Sequence, residues 1–158
     1  MPRQPTAEDA NLILRLYELR REPRMREARR WLISSFKART HQGYQRLCPP
    51  GSEESASYRM VSTYWEMAAS FVVAGVLHEN LFFDNSRELL VVWELIREVA
   101  AELRTVNGDA TYLANLEQVA GAYASWLDRA SPGAHQALAA RIRGQQAGAQ
   151  PGAPPTRA

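Results

Sequence analysis

The chain is poor in the residues that usually carry chemistry: 158 residues hold one cysteine, one lysine and three histidines. Cys48 has no second thiol to pair with, so nothing calls for an internal disulfide or an oxidising compartment. None of His41, His78 and His135 stands three residues after a glutamate. That removes the Glu-x-x-His pairs on which di-iron bundles depend. His78-Glu79, near Asp84, reads as corner capping and not as a metal site. Cys48 follows His41 by seven residues, but no third group is placed to orient such a pair. G-x-S-x-G, P-loop and Rossmann glycine patterns are missing as well. No catalytic residue, metal ligand or cofactor is assigned, and a conventional enzyme is not expected.

Long apolar runs are lacking too. The longest uncharged one, Met67–Leu77, has 11 residues, where a bilayer needs about 20. The opening MPRQPTAEDA has no apolar signal segment. A soluble, cytoplasmic chain without a transmembrane segment is expected. Alternating strand patterns and repeats of 20–50 residues are also missing.

What is present is helical periodicity. At 46% hydrophobic and 23% charged residues, the composition is that of a globular domain. Thr6 and Asp9 form a capping pair for a first helix carrying Leu12, Ile13, Leu16, Tyr17 and Leu19, which stops before Pro23. Pro23 suits the first turn of a second helix, with Met25, Ala28, Trp31, Leu32 and Phe36 on one face and a possible extension towards Leu47. Cys48-Pro-Pro-Gly-Ser52 is a break. Ser52 or Ser55 then caps a central helix, about 53–75, apolar on nearly every face and closed by Gly75. A short turn over His78–Phe83 follows. Ser86 caps a helix whose seam is Leu89, Val92, Ile96, Val99, Leu103 and Val106, ended by Asn107-Gly108. Asp109 or Thr111 caps the next, with Leu113, Leu116, Ala120, Tyr123, Leu127 and Ala130. Ser131-Pro132 opens a last, weaker helix with Leu138 and Ile142.

The expected architecture is all-α: a helical bundle of four main helices plus shorter ones, the central helix enclosed by its second, fourth and fifth companions. Residues 1–5 are expected to form a flexible terminus, 6–143 a single helical domain and 144–158 a disordered Gly/Pro/Ala/Gln tail. The aromatics Trp31, Tyr64, Trp65, Phe71, Trp93, Tyr123 and Trp126 fall at core-compatible spacings.

Charge is divided unevenly along the chain. From Arg15 to Arg46 ten Arg/Lys face three carboxylates, and from Glu53 to Asp128 twelve carboxylates face four arginines. Two readings follow. Either the halves pair internally, or the arginine-rich second helix, with Arg20, Arg21, Arg24, Arg26, Arg29 and Arg30, presents a face to a nucleic acid or another polyanion. Glu66 is a carboxylate inside an otherwise apolar helix, and burial without a partner would be costly. A salt bridge to an arginine of the second helix is expected. An enzyme site around Glu66 is the weaker alternative.

Tyr64-Trp65-Glu66, Gly75-Val76-Leu77, Leu81, Asp84 and Trp93, preceded by the REARRWL segment Arg26–Leu32, resemble an uncharacterised bacterial family of helical domains. The abundance of arginine and alanine fits a GC-rich bacterial genome. The resemblance runs over Leu12–Leu127 and implies an all-α domain, with no activity or catalytic residue to carry over. The function expected is a non-enzymatic interaction or regulatory module whose partner is a protein, self or other.

Overall fold

The computed structural model describes residues 3–148, which form eight helices and, among the described residues, no strand. The first is α1, Ala7–Arg21, and it opens with the anticipated capping pair. Thr6 accepts from the Asp9 amide, and the Asp9 side chain accepts from the Thr6 amide. Glu22 joins it to α2, Pro23–Ser35, and supplies the N-cap by accepting from Met25 N at 2.9 Å.

α2 does not run on to Leu47. Phe36 turns to extended backbone with its ring fully buried, and a separate helix α3, His41–Leu47, begins behind Thr40. Gly43 therefore lies in a first turn and not at a helix end. A Cβ there would sit 3.2 Å from the Thr40 hydroxyl that caps the helix.

The central helix α4, Glu53–Val73, is capped by Ser52 and followed by Gly75 at φ 71°. That backbone region suits glycine and strains other residues. α5, Glu79–Asn85, carries the buried Phe82 and Phe83. α6, Arg87–Asn107, ends on Gly108 at φ 64°. Its seam is buried through Leu103, whereas Val106 is exposed. α7 is Ala114–Ala130 and α8 is Ala134–Ala147.

Packing places α4 between α2 and α7, with α7 against α6 and α6 back against α2. α8 lies on α6 and α7, α3 on α6, and α1 on α2 and α5. The buried interior is continuous from Leu16 to Ile142 and includes Trp65, Tyr58, Tyr123 and Phe36 among its largest side chains. Of the aromatics expected inside, Tyr64, Trp65, Trp93 and Tyr123 are buried, while Trp31, Phe71 and Trp126 pack at its edge. Of the apolar positions expected to face inward on α1, only Leu16 is buried, and Tyr17 and Leu19 are exposed.

Arg3 is tied to Asp9 by two hydrogen bonds of 2.7 and 2.6 Å. At the other end α8 continues through Ala147, past the anticipated start of the tail at 144. Gln145 accepts at its carbonyl from Lys37, and the Gln146 amide group donates to the Leu95 carbonyl. Tertiary hydrogen bonds there offset the lack of large apolar residues. The remainder of the anticipated tail, 149–158, lies outside the described residues. Among the described residues, no helix is long and apolar enough to cross a membrane.

Candidate functional site

Three arginines of the first half, Arg24, Arg29 and Arg39, turn towards the acidic half. Arg29 on α2 forks onto Glu88 in the first turn of α6, at 2.7 and 2.5 Å, and its third nitrogen donates to the Arg20 carbonyl at 2.8 Å. Both side chains are mostly buried, at 23% and 17% exposure. Arg39 makes the same fork onto Glu98, at 2.7 and 2.8 Å, and holds that carboxyl below the ordinary range. Arg24 pairs with Glu53 at the start of α4. The His41 amide donates to Glu102. Glu88, Glu98 and Glu102 thus point from α6 to the basic half.

This arrangement breaks up the candidate polyanion face. Arg24 and Arg29 are committed to carboxylates. Arg20 lies over the Trp65 and Tyr17 rings, at 5.2 and 5.6 Å, and Arg21 lies over Tyr17. Arg26 and Arg30 remain exposed on α2.

Glu66 does not pair with an arginine. It is half-buried and accepts from the Asn115 amide at 3.2 Å, the Asn115 side chain at 2.7 Å and the Leu116 amide at 2.8 Å. These donors belong to the first turn of α7, which has no cap of its own: its N-cap position is Leu113, at φ 53°. The residues anticipated as caps bond to each other instead, Thr111 donating twice to the Asp109 carboxylate. A carboxylate at a helix N-terminus satisfies orphan amides and complements the macrodipole. Glu66 is therefore a cap supplied from another helix, which corrects the expected salt bridge. Both of its oxygens accept from the first turn of α7.

The remaining candidates for chemistry fare similarly. Cys48 is buried, and its thiol is pushed up to about 11 by burial and by Glu54. It is a protonated, poor nucleophile. His78 caps α5 through Nδ1 and meets the Arg3 carbonyl through Nε2. His135 meets Glu94 at 2.8 Å, with Arg97 on the same carboxylate. Among the described residues, no group of three or more His, Cys, Asp or Glu side chains is placed to hold a metal ion.

One feature of the surface escaped the sequence reading. A groove of about 480 Å³ runs between α1, α2 and α4, lined by Leu19, Met25, Met60, Thr63, Tyr64 and Met67. The chain has four methionines, and all but Met1 line this one groove. Met67 and Leu19 are 39% and 53% exposed, while Met25 forms the buried floor. The wall from α4 repeats at i, i+3, i+4 and i+7, a strip about 10 Å long on one helix face. The methionine positions were visible in the sequence, but their convergence required the crossing of α2 over α4. Thioether side chains are unbranched and adaptable, which suits a surface that receives another apolar element.

The family model described as a domain of unknown function, DUF4760, matches residues 5–123, which reaches from before α1 into α7 and leaves out α8. No curated protein and no solved structure matches the chain.

Proposed function

The chain belongs to this DUF4760 family, and we propose that it works as a non-enzymatic helical interaction module, receiving an amphipathic helix of a protein partner in the methionine-lined groove. The observation that carries the reading is the convergence of Met25, Met60 and Met67 on one open groove beside the exposed Leu19. Grooves of this kind take a helix by its i, i+3, i+4 and i+7 apolar anchors. The engaged state of the ionisable groups supports the same reading, since the buried carboxylates and the thiol are spent on caps, ion pairs and packing.

Photo-methionine incorporated throughout the full chain would place three of its four reactive groups in the groove. Crosslinks mapped to Met60 and Met67 that vanish in Thr63→Arg, with an unchanged circular dichroism spectrum, would support the proposal. Thr63 is exposed on the groove wall, so the longer side chain blocks the site without filling the core. Crosslinks that persist in that variant, or none beyond the chain's own helices, would overturn it. Sedimentation velocity over a concentration series separates a second copy from a different partner.

The second reading, binding of a nucleic acid or other polyanion, rests on the exposed Arg26 and Arg30 of α2. With Arg24 and Arg29 engaged in ion pairs, few cations remain to displace counterions. Any such binding would have a shallow salt dependence and would be lost in Arg26→Glu with Arg30→Glu.

A further inference from the structure

We propose that the cleft between α3 and the first turns of α4 binds a small organic oxyanion, a carboxylate or a phosphate monoester. The cleft measures about 410 Å³ and is lined by His41, Tyr44, Ser55 and Arg59 beside the Pro50–Gly51 turn, a size in the ordinary range of small-ligand pockets.

No carboxylate is among its lining residues, and Arg59 is the one arginine there. Arg3, Arg24, Arg29, Arg39 and Arg104 all hold carboxylates. Arg59 makes a long hydrogen bond, Nε to the Ser55 carbonyl on its own helix at 3.5 Å. The outer face of its fork is the part suited to take two oxygens side by side. Tyr44, Ser55 and Arg59 line the same cleft; burial pushes the Tyr44 phenol up while Ser55 and Arg59 pull it back. Beneath them the Cys48 thiol is neutral and offers no competing charge. Glu54 acts on that thiol but is not part of the lining.

The cleft is also preformed. Two prolines and Gly51 at φ 82° shape one wall, and the Ser52 amide closes the turn onto the Pro49 carbonyl at 3.0 Å. Tyr44 is itself braced edge-on against Tyr58 at 4.9 Å. An anion entering would meet the guanidinium fork and two hydroxyl donors without rearranging the backbone, and the Tyr44 ring would offer an apolar face to its organic part.

The test is an amide NMR titration of the full chain with phenyl phosphate, benzoate and inorganic phosphate at constant ionic strength. Saturable shifts centred on Tyr44, Ser55 and Arg59 are expected for at least one organic probe. The first two probes distinguish phosphate from carboxylate, and the third shows whether the organic part is needed. Arg59→Gln should weaken binding about tenfold through loss of a charge-assisted pair, and Arg26→Gln should leave it unchanged. Tyr44→Phe, which keeps the ring and removes the hydroxyl, should weaken it several-fold. Equal affinity in Arg59→Gln and Tyr44→Phe, shifts that follow Arg26 and Arg30, or no saturable shift with any probe would overturn the assignment.

Discussion

Glu66 caps a helix that begins almost fifty residues further along the chain, accepting from both nitrogens of Asn115 and from the Leu116 amide. Glu66→Gln keeps an acceptor for Asn115 but turns an amide donor towards the Leu116 N–H and removes the charge from the positive end of α7. A loss of about 1–2 kcal/mol is expected. Urea denaturation should show a lower midpoint with an unchanged slope. Coincident curves for the two proteins would remove Glu66 from the stability of α7.

Arg29 and Glu88 join the basic and acidic halves where both side chains are mostly buried. A double-mutant cycle with Arg29→Met and Glu88→Gln should give a coupling energy of about 1–2 kcal/mol. Each single variant leaves its partner's charge in a poorly solvated place, so the singles should cost more than half of the double. A coupling indistinguishable from zero would mean that the halves are held by apolar packing alone.

Asp9 joins Arg3, Thr6 and the His78 amide. The Arg3 guanidinium, chiefly, holds its carboxyl far below the ordinary value of 3.8. Because the folded state favours the ionised form, this contribution is fully present above that ordinary value and is lost as the pH falls below it. Wild type should therefore melt above Asp9→Asn at pH 7, and the gap should narrow steadily as the pH is lowered from 4 towards 2. A gap independent of pH over that range would show that the ionised state is not what matters.

Leu113 sets two effects against each other. Its φ of 53° is strained for a non-glycine residue, and its side chain is only 3% exposed. Glycine would relieve strain on the order of 1 kcal/mol, but removing a buried leucine costs roughly 2–5 kcal/mol. Leu113→Gly should thus be destabilised by about 1–4 kcal/mol in urea titrations. A variant as stable as wild type would mean that strain, and not burial, dominates at the start of α7.

Much of the secondary structure was legible because its causes are local. Thr6 with Asp9 and Ser52 act on amides three residues away, and Gly75 and Gly108 take positive φ where the chain must leave a helix. The all-α class follows from apolar positions recurring along α4, α6 and α7. The resemblance of Tyr64-Trp65-Glu66 and Gly75-Val76-Leu77 to an uncharacterised family of helical domains is consistent with the match over 5–123 to a domain of unknown function.

Other features depend on residues brought together from far apart. The caps read for α7 were Asp109 and Thr111, the nearest suitable residues, yet Glu66 took that place because α4 packs against α7. The break between α2 and α3 was missed because Phe36 continues the helical apolar spacing, while its burial in extended backbone answers to Tyr58, against which it stacks at 5.4 Å. The end of α8 ran past its composition because Gln145 and Gln146 found hydrogen-bond partners on Lys37 and Leu95. Sequence alone determined which residues repeat on a face and where the backbone must turn, since those depend on neighbours a few bonds away. Tertiary structure decided where the charges and the methionines come together. Pairing Arg29 with Glu88, Glu66 with α7, and Met60 with Met25 requires knowing which helices lie side by side.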